Sequence, residues 1–375
     1  QWSQQLREIA ESPESAVASR LTADQIDKGI LFAFSGQGPQ WWAMGRQLYR
    51  CNEVFRDSIG KCDREFAKYV SWSLVEELQR DEEESRMQKT SIAQPCIFAL
   101  QVSLAAVWEN LGIRPNAIVG HSVGEIAAAC LSGALSWQDA CCVAVHRGRT
   151  MDLASSRGAM LAAGLSPEET RQGIVGIEDQ VSVAAINGPT SVTISGADDV
   201  IEKLAARIEA EGIFCRRLKV EYAFHSPQME PVREELMRSL AGIRAQMART
   251  PLISTVTGDY VDGPELGAEY WWHNVRQSVR FADAMQVAAK DGYGVALEVG
   301  PHPVLTYAIT ECYQHQGTNV RVLPSLHRER EDNLCMSESL GGLYKVGVEL
   351  DWSRIYSRPG ERVMLPTYPF QHQRC

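Results

Sequence analysis

Ala117-Ile118-Val119-Gly120-His121-Ser122-Val123-Gly124-Glu125-Ile126-Ala127 is the stretch whose reading decides the fold. Its first three residues are a short apolar run, the signature of a buried strand, and residues 125–131 read as a helix. Between them, Gly120-His121-Ser122-Val123-Gly124 fits G-x-S-x-G, the sharp strand-to-helix turn that lifts a serine hydroxyl above an α/β sheet. Glycines at both ends let the backbone pass close by. The helix N-terminus and the Val123 amide then face the place where an oxyanion would form.

Working outward, residues 30–34 (Ile-Leu-Phe-Ala-Phe) are a second short apolar run, closed by Ser35-Gly36. Residues 41–80 carry helical periodicity. A helix is expected over 92–111, with Gly112 as its stop. The recurrence of strand, turn and helix predicts a parallel sheet covered by helices. From 158 the pattern changes. Strands are expected at 159–163, 181–186, 192–195 and 213–220. One helix begins at Ser166-Pro167-Glu168-Glu169 and another runs from Asp198 or Asp199 to about residue 210. That order, β-α-β-β-α-β, is the ferredoxin-like unit. The expected fold is therefore α/β, with a hydrolase-like parallel-sheet large subdomain (29–154 and 222–320) and an inserted ferredoxin-like small subdomain (155–221). Polar, helix-prone residues 1–28 read as a linker. Residues 321–375, poor in regular pattern, read as a second linker. The first residue is Gln1 and the last is Cys375, so both ends read as cuts in a longer polypeptide.

Composition narrows the function. The 375 residues are 45% hydrophobic and 22% charged, an ordinary globular balance. A net charge of -10 argues against nucleic acid as a partner. No uninterrupted apolar run reaches membrane-spanning length, so no membrane partner is expected. The 10 cysteines include no C-x-x-C pair and fit reduced thiols in a cytoplasmic protein. The histidines lack zinc spacing, and no metal is expected.

A nucleophilic serine needs a base. His225, in Ala223-Phe224-His225-Ser226-Pro227, lies where the chain returns from the small subdomain to the main sheet. It is preferred over His121, His146, His273 and His302. No acid after Ser122 occupies a recognisable third triad position, which leaves a backbone carbonyl to orient the imidazole. The loop Ser35-Gly36-Gln37-Gly38-Pro39-Gln40 offers the Gln37 amide as a second oxyanion donor. Trp41 stands where a dinucleotide fingerprint needs a small residue, so the nucleotide reading is set aside. Arg147 would present a rigid fork for a carboxylate, a group for which an ordinary esterase has no use. Arg216, Arg217 and Lys219 form a basic patch that could receive an acidic partner.

Together these residues resemble the malonyl-CoA:carrier-protein transacylase family, and specifically the acyltransferase domains of type I polyketide synthases. The resemblance covers nearly the whole chain. It rests on Gly36-Gln37-Gly38 with Gln40, Gln94, Gly120 to Gly124 with Glu125, Arg147, Asn187-Gly188, Ala223 to Ser226, and Gly300-Pro301-His302-Pro303. It implies Ser122 as nucleophile, His225 as base, Arg147 on the free carboxylate of the acyl group, and an oxyanion hole from the Gln37 and Val123 amides. Gln94, Asn187 and His121 would line the pocket. It implies no tightly bound cofactor, a coenzyme A thioester as substrate, and two partners: the phosphopantetheine arm of an acyl carrier protein, and a neighbouring ketosynthase that residues 1–28 and 365–370 would approach. In this family Phe at the position of Phe224 goes with malonyl, and Val123 leans the same way. Tyr222 matches the methylmalonyl pattern instead. The expected activity is malonyl transfer, with methylmalonyl transfer, a serine hydrolase and a non-catalytic scaffold as the alternatives.

Overall fold

The computed structural model describes residues 29–154, 158–218, 220 and 222–356. Both segments expected to approach a ketosynthase, 1–28 and 365–370, lie outside these residues. The chain opens with β1 (Ile30–Phe34) and the helices α1 (Arg46–Cys51), α2 (Glu53–Phe66), α3 (Leu74–Gln79) and α4 (Thr90–Asn110). Then come β2 (Ala117–Gly120), α5 (Gly124–Ser132) and α6 (Trp137–Asp152). The small subdomain contributes β3 (Gly158–Ala163), α7 (Pro167–Gly173), β4 (Val181–Gly188), β5 (Ser191–Ala197), α8 (Asp198–Ala210) and β6 (Cys215–Arg217). The return carries α9 (Arg233–Leu240), β7 (Leu252–Ile253), β8 (Tyr260–Val261), α10 (Ala268–Arg276), α11 (Phe281–Lys290), β9 (Val295–Val299), α12 (Thr306–His315), β10 (Arg321–Pro324), α13 (Asp332–Lys345) and α14 (Trp352–Ile355).

The large sheet has the order β10-β9-β1-β2-β7-β8 and is parallel except for the β7–β8 pair. Both faces are covered, which is why its strands read as continuous apolar runs. Ile30, Phe32 and Phe34 point into one core and Leu31 and Ala33 into the other, as the period of two requires. The first core is built around α4. This helix has the length and mean hydropathy (1.5) of a membrane span, yet its apolar window is 89% buried, packed against α2, α5 and α6. Gly112 ends it with φ +88°, the left-handed conformation expected of a helix stop.

The small sheet has the order β4-β5-β3-β6, all antiparallel, which is the ferredoxin-like arrangement. Ser166 caps α7 with a complete capping box to Glu169. The strand expected over 213–220 is reduced to three paired residues, because β6 is an edge strand with only β3 beside it. Single hydrogen bonds, Gly164 N–H to the Phe214 carbonyl and Leu218 N–H to the Met160 carbonyl, continue the pairing at 2.8 Å at each end.

The segment expected as a linker from 321 differs from that expectation in its described part. β10 pairs in parallel with β9, Leu323 opposite Leu297, and forms the edge of the large sheet. α13 packs over β10 and α1. The strand signal is weak because four residues with an arginine at one end and a proline at the other show no clear alternation. A chain ending at residue 320 would lose Leu323, Leu326, Met336 and Leu343, all buried. At about 1.5–3 kcal/mol each, they contribute on the order of 6–12 kcal/mol, comparable with the roughly 5–15 kcal/mol that holds a domain folded. That truncation is expected to be insoluble or to show no cooperative thermal transition. A melt like that of the longer chain would return the boundary to residue 320.

Candidate active site

β2 ends beside β1, with Gly120 opposite Phe34, and the His121 N–H closes onto the Phe34 carbonyl at 2.8 Å. The turn into α5 is so tight that both elbow glycines are sterically required. A Cβ on Gly120 would lie 2.3 Å from the Glu125 backbone, and one on Gly124 would lie 2.4 Å from the Phe34 carbonyl oxygen. Ser122 sits at φ +52°. His225, at φ +58°, is the only other non-glycine residue with positive φ among the described residues. Such conformations cost of order 1–3 kcal/mol and persist only where the surroundings impose them.

The two strained residues meet. Ser122 Oγ is 2.9 Å from His225 Nε2, and His225 Nδ1 is 2.9 Å from the Gln277 carbonyl oxygen. A carbonyl can only accept, so Nδ1 carries the proton and donates it, and Nε2 is left bare to accept from the serine hydroxyl. Burial, and then the charges of Arg147 and His121, push the His225 pKa down to about 3. The imidazole is neutral at neutral pH.

Arg147 lies on α6, fully buried, and donates to three neutral acceptors: Asn274 Oδ1 from Nε at 3.0 Å, Gln94 Oε1 from Nη1 at 2.8 Å, and Ser122 Oγ from Nη2 at 3.0 Å. No carboxylate of the described residues forms an ion pair with it. Burial pulls its pKa down to about 9, and Glu125 opposes that fall. Gln94 donates to Gln37 Oε1 at 3.1 Å, and Gln37 Nε2 reaches Thr90 Oγ1 at 3.3 Å, so the loop after β1 is tied to the arginine. His121 turns away from Ser122: its Nε2 is 2.8 Å from Asn187 Oδ1 on β4, and its ring packs on Phe281. Asn187 thus meets the elbow through His121.

Tyr222 and Phe224 stack, with ring centroids 5.6 Å apart and planes 11° apart. The Tyr222 hydroxyl donates to Asp152 Oδ1 at 2.9 Å, and Ser91 holds the other Asp152 oxygen at 2.7 Å. The remaining histidine candidates lie elsewhere: His146 packs on Tyr69, His273 pairs with Glu269 at 3.4 Å, and His302 packs on His327. Of the basic patch, Arg217 is engaged by Asp198, and Lys219 is outside the described residues. A cleft of about 390 Å³, lined by Arg171, Ile186, Ser278 and Arg280 among others, contains neither Ser122 nor His225.

Three participants escaped the sequence reading. The Gln277 carbonyl carries no side-chain signal at all. Asn274 and Tyr270 are four apart in the aromatic-rich Tyr270-Trp271-Trp272-His273-Asn274-Val275, a spacing that places both on one helix face. Both bond Glu125, which is completely buried in the first turn of α5.

A strained serine on an elbow, a neutral imidazole and an α/β sheet define a serine acyl-transfer site. The family described as "Acyl transferase domain" matches residues 31–348. The polyketide synthase GfsE of Streptomyces halstedii is 38% identical over 366 residues, 96% of this chain and 10% of that protein. The erythronolide synthase EryA2 of Saccharopolyspora erythraea is 39% identical over 373 residues, 98% of this chain and 10% of that protein. The acyltransferase domain from module 8 of the salinomycin polyketide synthase superposes with a TM-score of 0.84 at 36% identity, covering 87% of this chain and 77% of that one. The chain belongs to the acyl transferase domain family, as an acyltransferase domain of the polyketide synthase type. It spans about a tenth of the length of the curated relatives it matches.

The depressed His225 pKa has a stability consequence. Between its ordinary value of 6.5 and about 3, the unfolded chain holds a proton that the folded chain does not. Stability from this group is complete above pH 6.5 and falls by roughly 1.4 kcal/mol per unit as pH drops below it. His225→Gln removes that slope. Between pH 6.5 and 4.5 the variant is expected to lose roughly 2–3 kcal/mol less than the parent in urea denaturation. Parallel curves would refute the assignment of a buried neutral imidazole.

Proposed function

We propose that the domain transfers a malonyl group from malonyl-CoA to the phosphopantetheine thiol of an acyl carrier protein through an ester on Ser122. The observation that carries this reading is Arg147, a buried guanidinium on the nucleophile with only neutral hydrogen-bond partners. A buried cation of that kind is stabilised by an anion arriving with the substrate. In a malonyl group the carboxylate carbon is about 2.5 Å from the thioester carbonyl carbon by standard bond lengths. A cation touching Ser122 Oγ is therefore within reach of the carboxylate while the carbonyl meets the hydroxyl.

In the first half-reaction His225 Nε2 takes the Ser122 proton as Oγ attacks the thioester carbonyl. The Gln37 and Val123 backbone N–H groups have no protein acceptor among the described residues and are the donors offered to the oxyanion. The carbon–sulfur bond breaks, the leaving thiolate takes the proton from His225, and the serine ester remains. In the second half the carrier thiol loses its proton to His225, attacks the ester and releases Ser122. Arg147 depresses the basicity of His225, and a substrate carboxylate offsets that charge. A carboxylated substrate thus raises the basicity of the imidazole that activates its own attack, which acetyl cannot do.

The choice of malonyl over methylmalonyl is supported by the Tyr222–Phe224 pair. Tyr222 is tethered through Asp152, so the Phe224 ring cannot swing aside freely to admit an α-methyl group. A single methyl is worth about 1–3 kcal/mol in such a pocket.

Brief mixing with malonyl-, methylmalonyl- and acetyl-CoA in competition, read by intact mass, tests the reading. The parent should carry malonyl, and Ser122→Ala should carry nothing. Arg147→Ala should lose the preference for carboxylated groups by about a hundredfold or more, the scale of a charge-assisted contact. Phe224→Ser should move the competition toward methylmalonyl by about tenfold. A parent that takes methylmalonyl first overturns the pocket argument. Free malonate released without carrier protein, with no lasting adduct, favours a hydrolase.

A further inference from the structure

Asn274 stands between the two buried charges of the site. Its Oδ1 accepts from Arg147 Nε at 3.0 Å; its Nδ2 donates to Glu125 Oε2 at 2.9 Å and to the Ser122 carbonyl at 3.3 Å. The amide fits only this way round. Reversed, its NH2 would face the guanidinium N–H and its oxygen would face the carboxylate. Glu125 also accepts from the Tyr270 hydroxyl and from the Thr255 N–H at 3.2 Å. Thr255 Oγ1, 3.0 Å from Glu125 Oε2, is 2.9 Å from the Gly120 carbonyl and so donates to one of the two. Donors converge on both Glu125 oxygens, the arrangement that suits an ionised carboxylate. They oppose the upward push of burial, which still leaves its pKa above the ordinary carboxylate value.

This inference rests on the reading of Arg147 as the carboxylate-binding group. We propose that Glu125 and Asn274 are positioning residues for carboxylate selection: Glu125 supplies the counter-charge of Arg147 at one amide's remove, and Asn274 fixes the Nε edge of the guanidinium with a neutral oxygen, so that the Nη groups, held only by the neutral Gln94 and Ser122, can turn onto the substrate carboxylate. A carboxylate touching Arg147 directly would occupy the fork that a malonyl group needs. No anion at all would leave a buried cation without compensation. An amide in series with the carboxylate meets both demands.

The charged and titratable groups facing Arg147 are few. Glu125 comes from α5, and His225, on the returning loop, feels the charge of Arg147. α4 presents the neutral Gln94 and α10 the neutral Asn274. On the outer side of α6, Arg149 is taken by Glu235 of α9, and α2 meets α6 through Cys62 beside Cys141, burial holding the Cys62 thiol protonated.

Two nearly isosteric variants test the proposal in the same chain, with folding checked by thermal melting. Asn274→Asp, made together with Glu125→Gln so that no second carboxylate lies against the new one, places a carboxylate on the guanidinium. Its kcat/KM for Ser122 acylation by malonyl-CoA should fall about tenfold further than that by acetyl-CoA, chiefly through KM. Glu125→Gln removes the counter-charge and leaves the guanidinium, which keeps its proton, with no anion but the substrate's. KM for malonyl-CoA should fall several-fold relative to KM for acetyl-CoA. A structural role alone moves both substrates together. That outcome in either variant overturns the proposal while leaving Arg147 as the carboxylate-binding group. A parent chain that prefers malonyl- to acetyl-CoA, with Arg147→Ala losing the preference, separates this failure from that of the underlying reading. If the parent shows no preference, both fall.

Discussion

The site is organised by the burial of one guanidinium. Arg147 comes from α6, yet it is held by α4 through Gln94, by α10 through Asn274 and by the elbow through Ser122. A cation taken out of water is tolerated only where its N–H groups are met and a compensating charge is near. Those demands bring three helices and the Ser122 turn to one point. Through Gln94 and Gln37 they also reach the loop after β1. The long apolar helix α4 thus does two jobs: its carbon-rich faces fill the core, while its buried Gln94 meets Arg147 and its buried Gln101 meets the Ser35 and Val299 carbonyls at the ends of β1 and β9.

Around that point the sheet supplies rigidity that a loop could not. Ser122 and His225 both occupy left-handed backbone conformations, and each is pinned by its neighbours. For Ser122 the pins are the β1–β2 register and the two glycines whose absent Cβ atoms allow α5 to start against the end of β1. For His225 they are the Gln277 carbonyl behind the ring and the hydroxyl in front of it. Gln277 begins a segment that crosses to the small subdomain, where Ile186 N–H bonds the Val279 carbonyl and Val279 N–H bonds the Ala184 carbonyl, both at 2.9 Å. The segment that seats the small subdomain is therefore continuous with the residue that orients the imidazole.

Much of this was legible in the sequence because it depends on local rules. The elbow is readable since only glycine tolerates its close approaches, and the flanking strands show as apolar runs because both faces are covered. The ferredoxin-like unit follows from alternation and a complete capping box at Ser166. What was not legible depends on placement in space. The Gln277 carbonyl is a backbone atom and leaves no trace in residue type. β10 is too short, and too interrupted by Arg321 and Pro324, to declare itself without its neighbour β9. Asn274 was hidden differently: an amide in an aromatic helix reads as incidental until Glu125 and Arg147 are found on either side of it. The Tyr270–Asn274 spacing was available, but nothing in one sequence says which helix face meets α5.

The choice of a carbonyl rather than an acid behind His225 follows from the same electrostatics. An aspartate in the third triad position would help stabilise the imidazolium formed during attack. Here it would also place a second anion close to Arg147, whose charge already reaches His225. In a low-dielectric pocket that anion would compete with the substrate carboxylate for the guanidinium. The Gln277 carbonyl fixes the same tautomer without adding a charge. Under the proposed reading, some basicity of the resting imidazole is given up so that the arginine stays available, and the incoming carboxylate restores part of it by neutralising Arg147. The absence of a triad acid and the presence of a buried arginine are then two sides of one design: a serine site whose electrostatics are completed by the acyl group it selects.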